Sequence, residues 1–133
     1  MVLGVVPSSV AFSPDSERIA TGSGDGAVKV WQPGGKELFT LPGDGSKVYC
    51  VAFSADGQRI ATGGDDRVAN VYDAGTGKKF LPLQGHTARI VSVAFSHDGQ
   101  LVATGSRDQT ARIWRSSDGK QLHLLKEHDG VLR

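Results

Sequence analysis

The 133-residue chain has a single cysteine, few aromatic residues and no long hydrophobic run. With Cys50 alone, the chain forms no internal disulfide, and a zinc site of the usual multi-thiolate kind is excluded. Its hydrophobic runs span only a few residues, far fewer than the roughly 20 that a membrane-spanning helix needs. The start of the chain also lacks the basic region of a signal peptide. We therefore expect a cytoplasmic protein with no membrane partner.

An excess of charge of one sign is also absent, since 15 Lys and Arg residues stand against 14 Asp and Glu residues. Nucleic acids attract proteins mainly through an excess of positive charge. The near-balance therefore gives no reason to expect a nucleic-acid partner. The four histidines lack the spacing of zinc ligands, so we expect no metal and no other cofactor. An apolar fraction of 38% still permits a buried core.

Glycine is abundant and evenly spread, with 18 glycines and 5 prolines along the chain. This distribution suggests many short elements joined by tight turns. The segment Val-Ala-Phe-Ser occurs three times, beginning at Val10, Val51 and Val93. An Ala-Thr-Gly segment, an Asp and an aromatic residue follow each copy in the same register. A repeat of 41 to 42 residues is typical of the blades of a propeller.

Each copy of the repeat has the pattern of four short strands. In the third copy we predict strands at 90–95, 101–105, 110–114 and 121–125, separated by turns rich in Gly, Asp and Ser. The apolar, β-branched first strand suits burial on both faces. Cys50, in the first strand of the second copy, is predicted to be a buried structural thiol. No segment shows a sustained helical period, so the predicted class is all-β.

The third copy carries a distinctive set of residues: Gly85 and His86, then Thr104, Asp108 and Trp114. With this set, and over essentially its whole length, the chain resembles the WD-repeat β-propeller family. The resemblance implies a hydrogen-bonded chain of the His, Thr, Asp and Trp side chains, which is consistent with their donors and acceptors. The other two copies carry the motif without its histidine: Thr21, Asp25 and Trp31 in the first, and Thr62, Asp66 and Tyr72 in the second.

The repeat divides the chain into three four-stranded antiparallel blades, at about 4–41, 46–83 and 88–125, and an incomplete fourth opening at 126–133. A closed propeller typically has about 4–8 blades. Three blades are therefore expected to form a partial propeller with two apolar flanks that need a cover. Three explanations stay open. Two chains form a six-bladed ring, three chains form a nine-bladed ring, or the sequence is a fragment or one half of a ring that a separate partner chain completes.

The group of His86, Thr104 and Asp108 also has the composition of a catalytic triad. The repeat favours a structural role, because the Thr and the Asp recur in copies that have no histidine. We therefore expect no catalytic residue and a non-catalytic protein-interaction scaffold that self-associates into a closed propeller. The alternatives are a structural assembly unit or propeller fragment without a dedicated ligand and, least favoured, a hydrolase or small-molecule site in the ring channel.

In WD-repeat propellers, partners usually dock on the rim where the blade openings meet the turns before the motif Asp. The resemblance implies a partner-binding rim formed by Lys47, Tyr49, Asp65, Arg89 and Arg107. Tyr and Arg are among the residue types most enriched at binding hot spots. The alternative is that these residues are ordinary solvated charges. The partner itself, a protein or a peptide, is not identified by the sequence.

Overall fold

The computed structural model describes residues 7–41 and 46–126, which form three separate four-stranded antiparallel sheets. We call these sheets blades 1, 2 and 3. Blade 1 contains β1 (Pro7–Phe12), β2 (Ile19–Ser23), β3 (Val28–Trp31) and β4 (Glu37–Leu41). Blade 2 contains β5 (Val48–Phe53), β6 (Arg59–Gly64), β7 (Ala69–Asp73) and β8 (Lys79–Leu83). Blade 3 contains β9 (Ile90–Phe95), β10 (Leu101–Ser106), β11 (Thr110–Arg115) and β12 (Gln121–Lys126).

The all-β prediction is confirmed, with strands paired in chain order within each blade. None of the described residues belongs to a helix long and apolar enough to cross a membrane. Of the predicted fourth-repeat opening, residues 127–133 lie outside the described part of the chain.

The turn between the first two strands is held by the same Ser–Asp hydrogen bond in every blade. In blade 2, Asp56 Oδ1 accepts the hydroxyl of Ser54 at 2.6 Å and the backbone N–H of Gln58 at 3.0 Å. The chain then passes through Gly57 with a φ of 72°, a conformation that glycine adopts without steric cost. Such turns connect the antiparallel strands within a few residues and so define the register of each blade.

The blades pack face to face and enclose two apolar cores. Buried residues of the core between blades 1 and 2 include Ala20, Val28, Val30, Leu41, Val51, Ile60 and Tyr72. Buried residues of the core between blades 2 and 3 include Ala61, Val71, Leu83, Ile90, Val102 and Trp114. Blade 2 contributes to both cores because alternate side chains of its strands point to opposite faces.

An arginine from one blade donates hydrogen bonds to the backbone of the next. Arg18 of blade 1 donates to the carbonyl oxygens of Ala74, at 2.6 Å, and Gly57, at 3.1 Å. Arg59, at the same register in blade 2, donates to the carbonyl oxygen of Ser116 at 3.2 Å. In blade 3 this register is occupied by Leu101, which is exposed. The polar bridge therefore joins the blades within the chain and stops at its outer flank.

The outer faces of blades 1 and 3 carry exposed apolar side chains. Val10 and Phe12 are 64% and 62% exposed, whereas Val51, the blade 2 counterpart of Val10, is only 7% exposed. The prediction that strand 90–95 is buried on both faces was wrong, since within β9 only Ile90 is fully buried and Val91 is 42% exposed. The reason is that blade 3 packs against a neighbouring blade on one side only.

Glycines at one register of the second strand allow the close approach of neighbouring blades, which gives a matched pair of substitutions. A Cβ on Gly63 would lie 2.5 Å from Ile90 Cγ2, whereas a Cβ on Gly105, the blade 3 counterpart, would meet nothing nearer than Ser92 Cβ at 3.7 Å. We expect Gly63→Ala to lower the free energy of unfolding by about 1–3 kcal/mol through overpacking.

Gly105→Ala is the control and should change the free energy of unfolding by less than about 0.5 kcal/mol at concentrations where the chain is monomeric. Urea unfolding followed by circular dichroism measures both values. Equal effects of the two substitutions would contradict the packing asymmetry between the inner and outer faces.

Candidate functional site

The motif side chains of blade 3 form one continuous hydrogen-bonded chain. Trp114 Nε1 donates to Thr104 Oγ1 at 2.9 Å, and Thr104 Oγ1 lies 2.7 Å from His86 Nε2. His86 Nδ1 lies 2.8 Å from Asp108 Oδ2, and Thr110 Oγ1 donates to Asp108 Oδ1 at 2.5 Å. Every donor in this chain finds an acceptor when His86 is neutral and carries its proton on Nδ1.

The electrostatics of the motif favour that protonation state. Burial lowers the pKa of His86 below its ordinary value, and this effect outweighs the opposing influence of Asp108. Partial burial acts to raise the pKa of Asp108, but hydrogen bonds from Thr110, His86 and the backbone N–H of Thr87 outweigh it. The pKa of Asp108 is therefore held well below its usual range. At neutral pH the pair consists of a neutral imidazole and a carboxylate.

The order of contacts among Thr104, His86 and Asp108 is the order found in a nucleophilic triad. Two features oppose a catalytic role. Thr104 is only 2% exposed, so its hydroxyl cannot reach a substrate from solvent. Its oxygen also accepts the indole N–H of Trp114, which lowers its nucleophilic character. The group connects the second and third strands of the blade to the segment before the first, which is a structural role.

Blade 1 contains a shorter version of the same chain. Trp31 Nε1 donates to Thr21 Oγ1 at 3.0 Å. Asp25 Oδ1 accepts the backbone N–H of Ala27 at 3.0 Å and so holds the turn between β2 and β3. The position that corresponds to His86, residue 3, lies outside the described residues.

Blade 2 repeats the same turn. Asp66 Oδ1 accepts the backbone N–H of Val68 at 3.3 Å. Thr62 and Tyr72 are buried, and together with Asp66 they line a cavity of about 290 Å³. The counterparts of Gly85 and His86, at 43–44, lie outside the described residues.

The predicted rim residues are held together by the backbone of blades 2 and 3. The N–H of Asp65 donates to the carbonyl oxygen of Lys47 at 3.0 Å. The N–H of Arg107 donates to the carbonyl oxygen of Arg89 at 3.0 Å, which is the same bond one blade further on. Each bond places a turn residue beside the residue that opens its blade.

Side-chain contacts then connect the two blades across the rim. Arg89 Nη1 donates to the Tyr49 hydroxyl at 3.0 Å, and Arg89 Nε lies 3.4 Å from Asp65 Oδ1. The Arg89 guanidinium is 5.3 Å from the centroid of the Tyr49 ring, and Lys47 Nζ is 5.0 Å from it. The structure therefore brings all five predicted residues into one solvent-facing group, which we call the rim cluster: Lys47, Tyr49, Asp65, Arg89 and Arg107.

Blade 1 has different residues at the corresponding positions. Ser8 takes the place of Tyr49, and Gly24 takes the place of Asp65. The Ser8 hydroxyl donates to backbone carbonyl oxygens, including that of Val48 in blade 2. Within the described residues, the rim cluster is thus confined to the junction of blades 2 and 3.

The cysteine and the potential metal ligands do not form a candidate site among the described residues. Cys50 is buried, its Sγ lies 3.5 Å from the carbonyl oxygen of Gly63, and burial raises the pKa of its thiol to about 12. It is therefore neither ionised nor accessible at neutral pH. Across 7–41 and 46–126, no group of three or more His, Cys, Asp and Glu side chains is placed to hold a metal ion.

Sequence reasoning missed the inter-blade arginines. The repeat does contain a signal, because Arg18 and Arg59 both precede the Ile-Ala-Thr-Gly segment of their copies. That signal shows a shared position but not that each side chain reaches a carbonyl oxygen on the next blade.

Three four-stranded antiparallel sheets, packed face to face and not closed into a ring, define a partial β-propeller. The chain belongs to the WD-repeat family, since the family model "WD domain, G-beta repeat" matches residues 4–32, 35–73 and 77–115. Two solved structures, "Structure of U3-55K" and "Crystal structure of RRP9 WD40 repeats", are similar to it with TM-scores of 0.90 and identities of 21%. Each comparison covers 96% of this chain and 41% of the other. No curated protein matches the chain.

The blade 3 motif predicts loss of stability in mild acid. Because the pKa of folded His86 lies below its ordinary value of 6.5, the unfolded chain binds this proton more readily. The stability contributed by His86 is therefore present above about pH 6.5 and is lost as the pH falls further. The corresponding contribution of Asp108 is lost only below about pH 4. We expect the urea midpoint to decrease between pH 7.5 and pH 5.

The variant His86→Gln should show a flatter profile over this pH range, from a lower starting stability. The control His97→Gln alters an exposed turn residue and should keep the slope of the parent chain. An unchanged slope in His86→Gln would show that other groups cause the pH dependence.

Proposed function

We propose that this chain is a non-catalytic protein-interaction scaffold that binds a protein or a peptide through its rim cluster. Family membership and the propeller fold support an interaction scaffold in general. The observation that carries the assignment to the rim is that five residues from two blades form one connected group at the surface.

The rim cluster has the physical character of a binding hot spot. Its aromatic ring is half-buried, and its cations are exposed. Arg89 is already ordered by Tyr49 and Asp65, so binding immobilises fewer side-chain rotamers than at an unordered surface. Tyr and Arg anchors of this kind account for much of the affinity at many protein interfaces.

The first test of this proposal compares rim variants with a stability variant. Arg89→Ala and Arg107→Ala should weaken the retention of binding partners from cell extract on the immobilised chain, with little change in thermal unfolding. Arg115→Ala is the matched control, because Arg115 is an exposed arginine at the opposite end of blade 3 whose side chain, among the described residues, pairs only with Asp118.

Asp108→Ala should instead lower stability by about 1–3 kcal/mol, because it leaves the buried donors of His86 and Thr110 unpaired. Partners retained equally by all four variants, or lost only where folding is lost, would remove the rim cluster from the binding surface. Mass spectrometry of the retained proteins and differential scanning fluorimetry supply the two readouts.

The second element of the proposal is that a second copy covers the open flanks, which gives a six-bladed ring. The outer flank of blade 3 carries Ala103, Ile113 and Leu125 at registers where blade 2 buries Ala61, Val71 and Leu83 against blade 3. Val10 and Phe12 of blade 1 match the residues of blade 2 that pack against blade 1. A head-to-tail contact between two chains would therefore repeat the interface found inside each chain.

A six-bladed ring lies within the usual size of a propeller, whereas a nine-bladed ring from three chains exceeds it. The apolar flanks also favour the second candidate function, a structural assembly unit whose purpose is blade association and which has no ligand. Further blades of a longer chain, or a separate partner chain, would cover the same flanks.

A substitution on the outer flank of blade 3 tests whether a second copy of the chain covers that flank. Gly105→Val adds a side chain at a position where the chain itself leaves space. At the counterparts Gly22 and Gly63, which face a neighbouring blade, a Cβ would lie 2.6 Å and 2.5 Å from that blade. The side chain added by Gly105→Val would therefore clash with a second copy packed in the same way. We expect light scattering to give twice the chain mass for the parent and the chain mass for Gly105→Val, with unchanged circular dichroism. Gly24→Val, at a turn glycine with open space around it, is the control and should stay dimeric.

A parent chain that is a well-folded monomer of 14.0 kDa would rule out both ring models. A Gly105→Val variant that stays dimeric would rule out the head-to-tail contact. Neither result bears on the rim cluster, which lies within one chain.

A further inference from the structure

The rim cluster carries local positive charge, although the chain as a whole is nearly neutral. It contains three cations, Lys47, Arg89 and Arg107, and one carboxylate, Asp65. That carboxylate is already paired with Arg89. Within 7–41 and 46–126, neither Lys47 nor Arg107 has a carboxylate within ion-pair distance. Two cations at one exposed site thus form no ion pair among the described residues.

The same contacts restrict where these cations lie. Lys47 Nζ and the Arg89 guanidinium both lie over the Tyr49 ring, which attracts cations through its quadrupole. The backbone bond between Arg107 and Arg89 places the main chain of Arg107 beside that of Arg89, and both side chains are exposed. Lys47 and Arg89 are therefore gathered at Tyr49 before any ligand arrives, with Arg107 on the adjoining strand end, so an anionic ligand meets the first two cations at a reduced entropic cost.

The arrangement favours an acidic peptide over a nucleic acid. Nucleic-acid sites combine many cations along a groove with aromatic rings on which bases stack. Here Lys47 and Arg89 already lie over the Tyr49 ring and would compete with a base for it. Asp65 would also repel a phosphate backbone that crossed the cluster. A short segment with one or two anionic side chains matches the number of cations outside an ion pair, and it brings fewer negative charges near Asp65 than a phosphate backbone does.

We propose that the rim cluster binds an acidic peptide segment, with Lys47 and Arg107 as the residues that pair with its anionic side chains. Arg89 acts as the ordered centre of the site, held by Tyr49 and Asp65. This inference deepens the proposed function and rests on it, since it names the chemistry of the partner at the same site. The anionic group is the carboxylate of Asp or Glu or the phosphate of a phosphorylated Ser.

Fluorescence anisotropy with labelled peptides tests this directly. The probes are a glycine-flanked hexaglutamate, a hexaglutamine and a hexalysine of the same length, each titrated with the full chain at 50 mM and 300 mM NaCl. We expect hexaglutamate to bind several-fold more tightly than hexaglutamine, hexalysine not to bind, and the added salt to weaken the hexaglutamate complex. A pair of otherwise identical peptides with Ser or phosphoserine shows whether phosphate is preferred to carboxylate.

Substitutions of single rim residues test whether the peptide binds at the rim cluster. Lys47→Ala and Arg107→Ala should each lower the affinity for hexaglutamate about two- to fivefold, as expected for exposed charge pairs, and Arg115→Ala should leave it unchanged. Asp65→Asn should raise the affinity, because it removes the one negative charge of the cluster, which repels the peptide, while Tyr49 still orders Arg89.

Equal binding of hexaglutamate and hexaglutamine would overturn the proposal, as would a loss with Arg115→Ala equal to that with Arg107→Ala. Tighter binding of a single-stranded oligothymidylate than of hexaglutamate, with the same loss in Arg107→Ala, would overturn it in favour of nucleic acid. If the acidic probes fail while Arg89→Ala still loses partners from extract, the rim binds a partner of other chemistry. If both fail, the rim cluster is not a binding surface.

Discussion

The packing of one four-stranded sheet against the next is the interaction on which the rest of this structure depends. A single blade cannot bury both of its faces, and only blade 2 has a neighbour on each side. The second strand must approach the next blade closely, and glycine at 22 and 63 makes this possible. Arg18 and Arg59 then join the blades by hydrogen bonds to backbone carbonyl oxygens. The hydrophobic contact supplies the stabilising free energy, and the arginine bridges add directional contacts to it.

The rim cluster is a consequence of that packing. Tyr49 and Asp65 belong to blade 2, and Arg89 belongs to the segment that opens blade 3. Residues 40 positions apart in sequence meet because successive blades repeat the same register side by side. A site assembled in this way depends on the blade interface, so loss of inter-blade packing would separate its cations from its aromatic ring. The geometry of the rim cluster and the stability of the core are thus physically linked, although the residues concerned are different.

The sequence predicted the features that repeat and missed those that depend on a neighbouring blade. Strand positions and turn residues follow from spacing, because each is determined within one copy. The set His86, Thr104, Asp108 and Trp114 follows from the resemblance to the WD-repeat family. The burial of strand 90–95 was predicted incorrectly, since its apolar pattern contains no information about how many blades flank it. The reach of Arg59 across a blade interface was missed for the same reason. The five rim residues were named by resemblance, but their mutual contacts required the relative placement of two blades.

Closure of a ring would not create a second rim cluster in each chain. At a head-to-tail junction, blade 3 would take the place that blade 2 has inside the chain. At the positions of Tyr49 and Asp65 it carries Val91 and Arg107. Blade 1 of the second copy would provide Ser8 where blade 3 provides Val91. That junction therefore lacks both the aromatic ring that gathers the cations and the carboxylate that orders the central arginine. Each chain contributes one rim cluster, and a six-bladed ring of two chains would present two identical clusters related by its symmetry.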